Sequence, residues 1–243
     1  MNLWTTANAT DESRRHARVA VLPIGSFEQH GSHLPLATDT IVASAVASAL
    51  AERYSLFLLP PVTISCSHEH AAWRGTVSIS ATTLIAIVED VAASLHRQGI
   101  DHLVLVNGHG GNYVLSNLVQ EANTDGPRLA LFPSRRDWEQ ARHDAGLEST
   151  SHDDMHAGEI ETSILLHVAP DTVTAEFEKA DHLTERPHLL MVGMGAYTDT
   201  GVIGQPSLAT DTKGSDVLAS LVRSFEHTLG LLTKEQKHAT SGD

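Results

Sequence analysis

Short apolar runs alternate with stretches of helical spacing along this chain. The pattern predicts an α/β fold, a three-layer sandwich with a mainly parallel central sheet and helices on both faces. Three observations carry the prediction. The runs at residues 19–24, 56–59, 102–106 and 129–132 are short and almost wholly apolar, as strands covered on both faces must be. The stretches between them are long enough for helices and carry cap residues. The chain has 243 residues, 41% of them hydrophobic, which suits one large core. The whole of 1–243 is therefore read as a single domain, with 1–18 and 235–243 as peripheral tails.

The first strand, 19–24, ends at Gly25. A helix over 41–53 follows, entered through Thr38-Asp39-Thr40, which offers N-cap chemistry. The second strand, 56–59, stops at Pro60-Pro61, and 62–65 and 76–79 are further strand candidates. Ser80 is placed to cap an amphipathic helix over 82–98 that Gly99 closes. The strand at 102–106 runs straight into Asn107-Gly108-His109, with a helix over 112–122 behind it. After the strand at 129–132 come polar and apolar helices over 135–145 and 159–167. Residues 193–213, rich in Gly, Thr and Asp, read as a surface excursion or lid, and 215–232 as a closing helix.

The net charge is −14, from 30 acidic and 16 basic residues, which excludes the electrostatic footprint of a nucleic-acid or anionic-membrane binder. No apolar run approaches the roughly 18–20 residues that span a bilayer. The polar N-terminus lacks the apolar segment of a secretory signal, so the expected location is the cytoplasm. The single cysteine, Cys66, fits a reducing compartment and reads as a buried structural thiol. The 16 histidines are mostly scattered on polar segments (His16, His96, His143, His182, His227, His238) and read as solvated.

Three islands break this ordinary background. Residues 25–39 carry Glu28, His30, His33 and Asp39 among two glycines and a proline. Asn107-Gly108-His109-Gly110-Gly111-Asn112 lies between a strand and a helix, and it matches neither the phosphate-loop nor the dinucleotide fingerprint. The third island holds Asp153, Asp154, His156, Glu159 and Glu161. Carboxylates and imidazoles are costly to bury unless a cation binds them, and this mixture suits zinc, manganese or iron. Glu28 and His30, two apart, share a side in extended backbone. Asp39 can cap its helix, coordinate, or do both. The acids at 159 and 161 can serve the helix dipole or a metal. The first two islands follow strand ends, so both emerge at one rim of the sheet, where such folds bind ligands. His68-Glu69-His70 and Trp73-Arg74-Gly75-Thr76 form a fourth patch, read as pocket or structure more readily than metal.

In order and spacing, Pro23-Ile24-Gly25-Ser26-Phe27-Glu28-Gln29-His30-Gly31 through Asp39, Ser67 to His70, Gly75 to Ser78, Asn107 to Asn112 and His156 to Ser163 resemble the creatininase (creatinine amidohydrolase) family. The resemblance implies a three-layer α/β protein, often hexameric, with two divalent metal ions that hydrolyse C–N bonds. It implies that Glu28, Asp39 and His109 hold one ion and that His30 and a bridging Asp39 hold the other. Where creatininase itself has a glutamate in the glycine loop this chain has Gly111, so it resembles the Gly-Gly branch, and Glu161 is the candidate for the missing carboxylate. His156 matches the family's proton-transfer histidine, with Glu161 beside it in the catalytic set. His70, Trp73, Arg74, Gly110, Gly111 and Asn112 are the expected substrate contacts. Arg74 stands where relatives have proline and is a candidate clamp for an anionic group. The implied activity is hydrolysis of a small cyclic amide or formamide by metal-activated water, in a homo-oligomer. The alternatives are a peptidase of the mycofactocin-maturation type and a non-catalytic binding protein on the same fold.

Overall fold

The computed structural model describes residues 5–234. The expected tail at 235–243, His238 included, and residues 1–4 lie outside the described residues. Four strands, β1 (Val19–Ile24), β2 (Phe57–Leu58), β3 (His102–Asn107) and β4 (Leu129–Phe132), form one sheet in the order β2-β1-β3-β4. Every pairing is parallel, with Val19 opposite His102 and Ile24 opposite Asn107 in the central pair. The fold class expected from the sequence is the one observed.

Strand alternation divides the core into two layers. Val19 and Val21 of β1 and Val104 and Val106 of β3 face helices α2 (Thr38–Tyr54), α6 (Glu159–Val168) and α8 (Asp211–Leu232). Ala20, Leu22, Leu103 and Leu105 face α3 (Ala81–His96) and α4 (Val114–Ala122) on the other side. Ser80 does cap α3, accepting a hydrogen bond from the Thr83 amide at 3.2 Å. The polar helix α5 (Arg135–Asp144) is closed at its start by a reciprocal Ser134–Asp137 capping box.

Several expectations are corrected. The N-terminal tail contains a helix, α1 (Ala9–Arg15), started by an Asn8–Asp11 capping box; with no buried residue it has no apolar pattern to betray it. Residues 76–79 form no strand, only a single bridge from Val77 to Phe27. Residues 62–65 contribute one bridge, Val62 to Ile24. Helix α2 begins at Thr38 with no side-chain cap, so the Thr38-Asp39-Thr40 chemistry is used elsewhere. Segment 193–213 is no loose lid: Ile203 bridges His156, Gly204 bridges His182, and Val202 and Ile203 are buried. The segment holds two short helical turns, Met194–Ala196 and Pro206–Leu208, and a short helix, α7 (Leu189–Val192), precedes it. His182, expected in solvent, lies half-buried with its ring 2.9 Å from the Tyr197 carbonyl.

Candidate metal centre

The strand order makes β1 and β3 the place where the connections part: the chain leaves β1 for β2 on one side, then returns to build β3 and β4 on the other. Open α/β sheets bind ligands beyond the carboxyl ends of strands at such a switch point. Glu28 and His30 follow β1 there, and His109 follows β3. Gly108 brings them together with α2, because a side chain at 108 would lie 2.4 Å from the Asp39 carbonyl oxygen. Without a Cβ, the exit of β3 presses against the first turn of α2, and Asp39 reaches His109.

The donor atoms converge tightly. Asp39 sits between two imidazoles, with Oδ1 3.0 Å from His30 Nε2 and Oδ2 3.1 Å from His109 Nδ1. Glu28 Oε1 lies 3.2 Å from His109 Nδ1 and 3.2 Å from His70 Nε2. Three groups each place their ligand atoms within 4.8 Å of one another: Glu28, Asp39 and His109; His30, Asp39 and Glu161; Glu28, His30 and His156. All of these side chains are buried except Glu161, which is partly so.

The residues around them fix which atoms point inward. His109 Nε2–H donates to the Cys66 carbonyl at 2.9 Å, which turns Nδ1 toward Glu28 and Asp39. His30 Nδ1–H donates to the Glu28 carbonyl at 3.0 Å, which turns Nε2 toward Asp39. His156 Nε2–H donates to the Gln29 carbonyl at 2.7 Å, and its Nδ1 lies 3.9 Å from Glu28 Oε1. Backbone carbonyls that lock a ring tautomer in this way are how metal-ligating histidines are oriented. Glu28 Oε1 and Asp39 Oδ2 are buried with no hydrogen-bond partner. Two orphaned carboxylate oxygens facing imidazole nitrogens are the donors of a divalent-cation site, and the set fits zinc, manganese or iron.

Electrostatics give the same answer. Burial works to lower the pKa of His30, but the charge of Asp39 and its hydrogen bond outweigh it and push His30 up to about 9. His109 is likewise driven well above its ordinary value, burial being overcome by the carboxylates of Asp39 and Glu28 that face it. Burial opposes ionisation of Asp39, yet His30 and His109 hold it far below the usual carboxylate range. Positive charge is demanded at this point of the molecule. His156 and His70 go the other way: burial, then nearby imidazolium charge, lowers both, His70 to about 3.

The other expected residues divide. Glu161 joins the cluster and accepts the Ala157 amide at 2.6 Å. Glu159 does not: its carboxylate is consumed by the Glu148 and Ser149 amides, the Ser149 hydroxyl and Lys213. A side chain at Gly111 would meet Glu69 at 2.1 Å and the His109 ring at 2.3 Å, so no glutamate fits there. Gly110 and Gly111 border two cavities, of about 760 and 690 Å³, that meet at Tyr113. His70 lies beneath the cluster against Glu28, its Nδ1 accepting from the Gln29 amide at 3.0 Å. Both ends of the Asn112 amide are engaged, by the Cys66 amide and by Asn107, so Asn112 ties loops together. Trp73 and Arg74 line neither cavity, and Arg74 is exposed. Cys66 is buried as expected, and burial pushes its thiol up. Sequence reasoning missed Gln29, whose side chain reaches His70 and Gly201, and Ser26, whose hydroxyl donates to Glu28 Oε2 at 2.7 Å beside Ser67. Their place inside the first island was the only signal.

A parallel α/β sheet carrying this donor set at its switch point has the build of an enzyme that activates water on divalent metal. The sequence pattern of the creatininase family, described as creatinine amidohydrolase, matches residues 3–229. The chain belongs to the creatininase family. It is 35% identical to the mycofactocin precursor peptide peptidase of Mycobacterium ulcerans (strain Agy99) over 218 residues, covering 83% of this chain and 80% of that one. It is 28% identical to the creatinine amidohydrolase of Pseudomonas putida over 174 residues, 64% of this chain and 66% of that one. The fold superimposes on a crystal structure of creatinine amidohydrolase (creatininase) with a TM-score of 0.75 at 24% identity, over 90% of this chain and 93% of that chain. No helix among the described residues is long and apolar enough to cross a membrane.

Proposed function

We propose that this chain is an amidohydrolase with two divalent cations per subunit, zinc or alternatively manganese or iron. Glu28, Asp39 and His109 would hold one ion, and His30, Asp39 and Glu161 the other. The supporting observation is that these residues form two trios that share Asp39. Bound there, the ions supply Lewis acidity, lowering the pKa of a water toward neutrality and polarising an amide carbonyl.

The chain's own groups do the rest. His156, neutral and with Nδ1 bare, accepts a proton from the attacking water and delivers it to the leaving nitrogen. Water adds to the carbonyl carbon, the C–N bond breaks, and an acid and an amine leave. Burial, with the charge of Asp39 and against that of His30, pushes the Glu161 carboxyl up to about 7 without a cation, and a bound ion would hold it ionised as ligand or as the group that orients the water. The amides of Gly110 and Gly111, on the cavity wall beside His109, would donate to the developing oxyanion.

The substrate admits two readings. A small cyclic amide or formamide suits the depth of the cluster, whose Glu28, His30 and Asp39 are wholly shielded. A short peptide is favoured by the two cavities that continue on either side of Tyr113, and by likeness to relatives that are precursor peptide peptidases. Elemental analysis with a hydrolysis screen of lactams, formamides and short peptides tests the proposal. Two ions per chain and turnover of one class support it; bound metal with ligand affinity but no turnover would favour a binding protein. Assembly as a homo-oligomer, a hexamer by family likeness, belongs to the same proposal. Leu190 and Met191, 76% and 77% exposed, are surface a second copy would cover. Light scattering in solution tests it. The lone buried Cys66 supports a cytoplasmic location.

A further inference from the structure

The larger cavity, about 760 Å³, is lined by His109 and Glu161 and also by three arginines, Arg135, Arg142 and Arg186. The same wall carries Glu139, Asp154 and Glu161, so the arginines are matched in number by acids. The overall charge of −14 repels anions, so an anionic ligand would need an arginine left without a partner to enter.

The three arginines are not equivalent. Arg142 is committed to the fold, with Nη2 2.6 Å from Asp154 Oδ2 and further bonds to the Ser149 and Asp154 carbonyls. The Arg135 side chain is 91% exposed and lies 3.9 Å from Glu139. Arg186 is half-buried, and its Nη1 is shielded from solvent with no hydrogen-bond partner among the described residues. Its neighbour Glu185 turns to His152 instead, 3.2 Å away. A shielded guanidinium N–H is costly unless an acceptor arrives, and the planar fork matches a carboxylate or phosphate. Pro133, Trp138 and Met155 give the same cavity apolar wall.

We infer that Arg186 is an anion subsite: the substrate carries a carboxylate or phosphate that seats on Arg186 while its amide lies toward His109 and Glu161. This rests on the hydrolase reading and narrows it. In a peptide the group is the terminal carboxylate; in a cyclic amide it is a ring substituent. Arg74, outside the cavity, does not fill this role.

Calorimetric titration of the metal-loaded protein tests the subsite with three probes: N-acetylphenylalanine, N-acetylphenylalaninamide and inorganic phosphate. Wild type should bind the acid or phosphate about tenfold or more tightly than the neutral amide, the stronger of the two anions identifying the group. Arg186→Met should abolish that preference, and Arg186→Lys should restore part of it, at unchanged metal content and circular dichroism. The same titrations on Asp39→Ala separate Arg186 from direct coordination, and the Arg186-dependent preference should persist there. Equal binding of acid, phosphate and amide by wild type overturns the inference. So does anion binding that survives both Arg186 substitutions, or that vanishes in Asp39→Ala. Since binding is read and not turnover, a chain that passes this test yet hydrolyses nothing would refute the hydrolase and leave the subsite standing.

Discussion

Two buried acidic clusters lie on either side of helix α6, and they are built in opposite ways. Around Glu159 every carboxylate oxygen is answered: Oε2 by two amides and a hydroxyl, Oε1 by the Lys213 ammonium at 2.6 Å. Burial works against its charge, yet Lys213 and Ser149 hold the carboxyl below its ordinary value. Around Asp39 the charges are as deeply buried, but Glu28 Oε1 and Asp39 Oδ2 have no hydrogen-bond partner and face imidazole nitrogens. The first cluster is complete as protein and holds α6, α8 and the 148–149 loop together. The second is complete only with a cation. Burial and charge alone do not mark the site; unpartnered carboxylate oxygens that converge on imidazole nitrogens do.

The difference can be broken from either side. The largest effect belongs to Asp39→Ala, which should release metal by elemental analysis and cut turnover on the order of 10³-fold or more. Retention of both would remove the bridge. His156→Ala should lower kcat by about 10²–10⁴-fold and leave metal content intact; loss of metal in that variant would make His156 a ligand. Glu159→Ala should do the converse, destabilising the fold by about 3 kcal/mol in denaturant unfolding, with metal bound per folded chain unchanged. If it strips metal instead, the two clusters are not independent. Ser26→Ala, which frees Glu28 to turn, should weaken metal affinity about 10–100-fold.

The smallest step, about tenfold per unit, is in pH. With His30 pushed up to about 9, a cation arriving at that imidazole displaces a proton throughout the neutral range. Apparent metal affinity should therefore fall about tenfold per proton displaced for each unit the pH drops below 9, and level off above it. Chelator competition at pH 6, 7 and 8 reads the slope, and a flat profile would mean that His30 takes no part.

The sheet was legible because β1, β3 and β4 are apolar runs that nothing else explains, and the rim because Glu28, His30 and His109 follow strand ends. What stayed hidden depends on tertiary contact. Glu159 and Glu161 are indistinguishable in the first turn of a helix, and only Lys213 and the 148–149 amides separate them. Helix α1 escaped because it buries nothing. The Gly/Thr/Asp-rich run at 193–213 read as a lid because composition does not reveal that Ile203 pairs with His156 or that Gly201 receives the Gln29 amide. Arg74 was visible beside its motif, whereas Arg186, far along the chain, enters the cavity only through the fold.

The account turns on cations shared by Asp39. Anomalous diffraction from crystals grown with manganese measures this directly. It should give two peaks, one about 2.0–2.3 Å from donor atoms of Glu28, Asp39 and His109, the other equally close to His30, Asp39 and Glu161. A map with no peak in coordinating contact with Asp39, from protein that still hydrolyses its substrate, would contradict it.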